Sequence, residues 1–149
     1  MLGFTLIELL VVISIIGVLT AIILPNMMGM RERARDSKRK ATLKELKTAL
    51  RLYYNDHQSY PINTSDHRID ACDGNPCNWG SAFTNDNITY MKQLPDKSSK
   101  IYNYERHDSG ENFWAWVELE NTSDSEIKAS QDRCGISNPQ AGAYYVCAD

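Results

Sequence analysis

The sequence predicts an α+β chain: a long N-terminal α-helix, half apolar span and half amphipathic, packed on a small antiparallel β-sheet. Three observations predict it. Phe4 to Leu24 is an apolar run whose one charge is Glu8; Asn26 to about His57 carries Leu43, Leu46, Leu50, Tyr53 and Tyr54 at helical spacing; two later segments alternate as strands do. With 149 residues, a net charge of -3 and 42% hydrophobic residues, the chain has room for one modest core beside that helix.

Taken in order, the run from Phe4 to Leu24 makes a helix of roughly 30 Å at about 1.5 Å per residue, enough to cross the hydrocarbon of a bilayer. A carboxylate inside such a span is costly and marks a functional partner for Glu8; the plainer alternative is a tolerated or protonated glutamate near one end. Pro25 is expected to bend or break the ladder. The amphipathic continuation, residues 26–60, places its apolar stripe on the small domain, and Tyr60-Pro61 ends it.

The face opposite that stripe is basic. Arg31 to Arg51 holds nine Lys or Arg against Glu32, Asp36 and Glu45, a balance of 9 − 3 = +6, whereas Leu52 to Asp149 holds seven basic and fifteen acidic residues, 7 − 15 = −8. Opposite signs on the two parts favour contact between neighbouring copies or a solvated face. DNA binding through phosphates is the less favoured use of the same stripe. Counted alone, these cations would put this side of the span in the cytoplasm. The four cysteines instead suit an oxidising compartment, in agreement with the outer placement that the resemblance given below implies.

Asn63 to Trp79 is polar and turn-rich around Cys72-Asp73-Gly74-Asn75-Pro76-Cys77. A disulfide between Cys72 and Cys77 is favoured over zinc, because a four-residue spacer without a second matching pair makes a poor zinc site. Ser81 to Leu94 is expected to hold a short helix stopped by Pro95. Lys100 to Arg106 and Asn112 to Leu119 form a hairpin around Asp108-Ser109-Gly110, with Phe113, Ala115, Val117 and Leu119 facing the helix and Trp114 and Trp116 on the other face, covered by later loops. Cys134 and Cys147 bracket a loop and the apolar strand Ala143 to Val146, and a disulfide here would close fourteen residues; the sequence leaves the connectivity of the four cysteines open. No Gly-rich phosphate loop, nucleophile elbow or His-Glu-x-x-His occurs, and His57, His67 and His107 sit in polar contexts. No catalytic residue, metal or cofactor is therefore expected.

Gly3-Phe4-Thr5-Leu6-Ile7-Glu8-Leu9-Leu10-Val11-Val12 resembles the processing site and membrane helix of type IV pilins and of the pseudopilins of type II secretion. The resemblance implies a pilin-like fold, with residues 1–3 a leader remnant that lacks the basic residues of an n-region. It implies cleavage after Gly3 by a prepilin peptidase and methylation of the new amine at Phe4. The family's glutamate falls on Glu8 and its helix-loosening Gly and Pro on Gly17 and Pro25; residues 4–25 are then span and filament core, 26–60 the amphipathic helix and 61–149 the globular domain. In a water-free filament core each Glu8 can pair with the Phe4 ammonium of a neighbour and so set the register of docking.

The run Tyr54 to Pro61 is similar to the helix exit of bacterial pseudopilins and simple pilins. Leu94-Pro95-Asp96 before the hairpin resembles the major pseudopilin, whose loop there binds calcium, but Lys97-Ser98-Ser99-Lys100 departs from that pattern and no calcium site is named. The region from Cys134 to Cys147 resembles the disulfide-bounded C-terminal loop of many type IV pilins. The implied partners are other copies in a helical filament, minor pilins, an assembly ATPase and platform protein, and the cytoplasmic membrane that holds the subunit before it joins a surface fibre. A pilus subunit is the leading reading; a pseudopilin acting as a periplasmic piston and a membrane-anchored, extracytoplasmic ligand-binding protein are the others.

Overall fold

The computed structural model describes residues 5–96 and 102–148, and within them the side chains of all but residues 22–28. Contacts divide the chain into two compact units, Met1–Arg35 and Asp36–Asp149. Helix α1 runs from Leu6 to His57, 52 residues, and continues through both Gly17 and Pro25. Proline takes one N–H out of the ladder, but the break allowed for at Pro25 does not occur. The helix stops where expected: Gln58 turns left-handed (φ 55°) and its N–H caps Tyr54 O at 2.7 Å. Among the described residues no helix is long and apolar enough to cross a membrane. The expected span, Phe4 to Leu24, begins and ends outside the described side chains.

The second unit is built on a three-stranded antiparallel sheet of β6 (Tyr102–His107), β7 (Asn112–Glu118) and β8 (Ala143–Cys147), with β7 in the middle. The register pairs Tyr104 with Ala115 and Ala115 with Val146, which puts Tyr104, Phe113, Ala115, Val117, Tyr144 and Val146 on one face. That face buries Leu43, Leu46, Ala49 and Leu50 of α1. Each fully buried leucine contributes about 1.5–3 kcal/mol, so the stripe read from the sequence is a substantial part of the hydrophobic stabilisation of this domain. Tyr104 is fully buried and donates its hydroxyl to Pro61 O at 2.6 Å, tying the helix exit to the sheet.

Smaller pieces flank this sheet. β1 (Ile62–Asn63), β2 (Ile69–Cys72) and β3 (Asn75–Pro76) form a second antiparallel sheet inside the segment read as loop. Ser81 to Leu94 is not a helix: β4 (Phe83–Asn85) and β5 (Ile88–Met91) form a hairpin. The reason is Asp86-Asn87, both left-handed (φ 50° and 64°), which make the two-residue turn whose twist matches antiparallel strands. Helix α2 (Ser125–Arg133), unforeseen, starts at Asp124, whose side chain accepts from Glu126 N.

Gly110 closes the 3-10 turn between β6 and β7 at φ 105°, accepts from Tyr60 N at 2.8 Å, and leaves no room for a Cβ beside Ser59 Oγ. Gly110→Ala is expected to destabilise the domain by roughly 2–3 kcal/mol through strain and overpacking, read as a lowered denaturation midpoint. A pH effect arises at Tyr90. Burial, followed by its hydrogen bond to Asp56 Oδ2 (2.9 Å), pushes its hydroxyl up to about 12 from an ordinary 10. The folded state therefore holds the proton that the unfolded state gives up, and stability falls as pH rises from about 10 to about 12. Buried Tyr104 is raised too, so Tyr90→Phe should flatten that slope only in part, as measured by denaturant melts across the window.

Candidate functional site

Among its described residues the first unit displays its apolar side chains rather than burying them. From Leu6 to Leu19 the large apolar residues are exposed by 47–81% and lie on every side of the helix. The polar side chains among them are bonded within the helix. Ser14 Oγ donates to Val11 O and Thr20 Oγ1 to Ile16 O, both at 2.7 Å. A hydroxyl bonded to its own helix can enter an apolar medium without leaving an unsatisfied group. The surface of this segment thus suits surroundings without water.

Gly3 and Phe4 lie outside the described residues. Glu8 is the third residue of the helix, and its Oε2 accepts from Thr5 N (2.9 Å) and Thr5 Oγ1 (2.6 Å), while Glu8 N donates to Thr5 Oγ1 (3.3 Å). This is a capping box. Thr5 was not picked out from the sequence, although Thr-x-x-Glu before an apolar run is its signature. A Cβ on Gly17 would meet nothing within 4 Å, so no contact among the described residues requires a glycine there.

The basic stripe is less free than its composition suggests. Arg39 bonds Asp36 at 2.8 Å and Glu120 at 2.7 Å, and Lys40 reaches Asp124 at 2.9 Å and Glu126 at 3.3 Å. Burial works against the Lys40 charge, and hydrogen bonds and Coulomb attraction from Asp124 and Glu126 outweigh it, so its pKa is raised. Asp36 is the one acid of the stripe that is buried. It accepts from Glu120 N and Arg39 through Oδ1 and from Asn121 N through Oδ2, holding the loop after β7 to the helix. Lys44, Lys47 and Arg133 line an open cleft of about 500 Å³ with Glu126 and Tyr144.

The four cysteines form two disulfides, Cys72 to Cys77 around the Asp73-Gly74 turn and Cys134 to Cys147 between α2 and β8. The latter closes a loop over the outer face of the sheet. There Gln140 Oε1 accepts a hydrogen bond from Trp116 Nε1 at 3.0 Å, and its backbone N–H donates to Tyr145 Oη. Trp116 is buried and Trp114 half-buried, as expected of tryptophans covered by later loops. Among the described residues no group of three or more His, Cys, Asp or Glu could hold a metal ion.

An exposed apolar helix segment with a capped glutamate, joined to a disulfide-bonded antiparallel-sheet domain, defines a prepilin-type chain. The family described as "Prokaryotic N-terminal methylation motif" matches residues 2–24. The type II secretion system core protein G of Vibrio cholerae is 34% identical over 103 residues, 68% of each chain. That of Aeromonas hydrophila is 36% identical over 93 residues, covering 62% of this chain and 64% of the relative, somewhat less than two thirds of its length. The type IV major pilin PilA of Myxococcus xanthus is 43% identical over 58 residues, 39% of this chain and 26% of that protein. No solved structure matches significantly. The chain belongs to the pilin and pseudopilin family.

Proposed function

We propose that this chain is a structural, non-enzymatic subunit of a type IV pilus, polymerising through the N-terminal part of α1 after cleavage between Gly3 and Phe4. The observation that carries the reading is the all-round exposure of Leu6 to Leu19 together with the internal bonding of Ser14 and Thr20. Burying such a surface among like helices is favourable at about 25 cal/mol per Å² and strands neither the Ser14 nor the Thr20 hydroxyl. Before assembly the same segment, with the residues beyond it up to Leu24, anchors the subunit in the cytoplasmic membrane. A prepilin peptidase, an assembly ATPase with its platform protein, and minor pilins are the partners of this cycle. The surface fibre is its end point.

A second reading, the pseudopilin of a type II secretion system, is favoured by the length of the matches. Similarity to core protein G extends over 93 to 103 residues in the Aeromonas and Vibrio proteins, whereas the match to the Myxococcus pilin spans 58. The Cys134 to Cys147 loop favours the pilus.

Intact mass of the chain in fibres sheared from the cell surface, beside its mass in the membrane fraction, tests both. A methylated chain starting at Phe4 and abundant in sheared fibres supports the pilus subunit. The same chain confined to membranes supports the pseudopilin. A chain still starting at Met1 in both fractions overturns the processing on which either depends.

A further inference from the structure

The outer face of the central sheet carries a row of rings that polymerisation through α1 does not use. The register sets Glu105 opposite Trp114 and Trp114 opposite Cys147, and two residues along sets Trp116 opposite Tyr145. Alternate residues share a face, so Glu105, Trp114, Trp116 and Tyr145 stand together on the side away from the core. His67 meets Trp116 edge-on at 5.3 Å between ring centres, and His107 lies 3.8 Å from the Trp114 ring. The loop closed by Cys134 and Cys147 rises beside these rings and turns them into the floor of a cleft.

That cleft has a volume of about 350 Å³ and is lined by Glu105, Trp114, Trp116, Asn138 and Tyr145 among others. A second, of about 320 Å³, is lined by His107, Asp108, Trp114 and Arg133. Trp114 lines both and forms the ridge between them. Trp116 is committed to Gln140. By contrast, the side chains of Trp114, Glu105 and Asn138 make no hydrogen bond or ion pair among the described residues. A half-buried indole, whose ring meets that of His107, thus shares a cleft with an unengaged carboxylate and an unengaged amide.

We propose that this double cleft binds an extended, neutral carbohydrate chain, with one sugar ring stacked on Trp114 and its hydroxyls bonded by Glu105 and Asn138. A sugar ring presents an apolar C–H face and an edge of hydroxyls that both donate and accept. An indole face beside a carboxylate and an amide matches the two surfaces at once. Each cleft is at the low end of the roughly 300–1,000 Å³ of ligand pockets, room for a ring or two, and a pair flanking one tryptophan suits a chain crossing the ridge. Charge argues against the other stacking ligand. Single-stranded nucleic acid needs a positively charged groove, and the two clefts together set Glu105 and Asp108 against the single cation Arg133. The site lies wholly within Asp36–Asp149 and stands whether or not the filament reading holds.

The test is calorimetric titration of the full chain, in detergent micelles, with cellohexaose, chitohexaose and maltohexaose, beside a short oligothymidylate and a proline-rich peptide. At least one hexasaccharide should bind saturably. Trp114→Ala and Glu105→Gln should each weaken it about tenfold or more, while Trp114→Phe, which keeps a stacking face, stays within about threefold. The Phe variant guards against reading misfolding as lost binding. No saturable binding of any hexasaccharide at millimolar concentration overturns the proposal, as does binding indifferent to Trp114→Ala. Tighter binding of the oligothymidylate or the peptide overturns it in favour of that ligand.

Discussion

Asp36→Ala should lower the stability of the globular domain by about 3 kcal/mol and its melting temperature by roughly 10 °C. The carboxylate is 1% exposed and fully used: Oδ1 accepts Glu120 N at 2.9 Å and Arg39 at 2.8 Å, and Oδ2 accepts Asn121 N at 2.8 Å. Alanine would strand two backbone N–H groups just beyond β7 and leave the Arg39 guanidinium without its helix partner. Hydrogen bonds to a charged group are worth more than neutral ones, and an orphaned buried donor bears the full cost of its lost hydration. Asp36→Asn should fall between, since its amide keeps one acceptor and turns a donor towards the other N–H. Thermal unfolding of the three chains checks this. A loss below about 1 kcal/mol in the alanine variant would mean that the loop closes without the helix.

Glu8→Ala should reduce sheared fibres by about tenfold or more while leaving the melting of the domain unchanged. The bonds of Glu8 are local, to Thr5 alone among the described residues, so nothing in Asp36–Asp149 depends on it. Two roles remain, and a pair of variants separates them. Glu8→Gln retains an oxygen for the Thr5 cap but removes the charge that would meet a neighbour's Phe4 ammonium. Thr5→Ala removes the cap and keeps the charge. If the charge pair sets the register of docking, Glu8→Gln assembles as poorly as Glu8→Ala and Thr5→Ala nearly normally. Fibre counts by electron microscopy, with subunit levels by immunoblot, decide it; normal fibres from Glu8→Gln would leave capping as the whole role.

What could be read in the sequence was set by how strongly local pattern and tertiary burial agreed. The leucines at 43, 46 and 50 and the alternation from Phe113 to Leu119 each repeat a single period over several turns or rungs, and both faces appear as expected. The hairpin at Phe83 to Met91 failed because its strands have three and four residues, too few for alternation to show, and its signal sat in Asp86-Asn87. α2 was missed for want of a stripe: in nine residues only Ile127 and Ser130 are buried. Asp36 was hidden by its company, since three acids among nine cations read as solvated ion pairs and its backbone partners lie over eighty residues away. The Thr5 cap is legible in the Thr-x-x-Glu pattern, but the same Glu8 reads first as a charge in an apolar run.

The loop bracketed by Cys134 and Cys147 also bears on how such a chain can diversify. Its two ends are welded to α2 and β8, and Gln140 alone in its tail is tied to the rings beneath through Trp116 and Tyr145. Ile136 packs against the cluster of Trp116, Ala143 and Tyr145, whereas residues 137–139 carry no comparable obligation to the sheet, yet Asn138 and Pro139 belong to the wall of the aromatic cleft. Substitution there can reshape what the cleft accepts without disturbing the core. The arrangement separates the part of the chain under folding constraint from a part free to change with its surroundings, much as a hypervariable loop is carried on a constant framework.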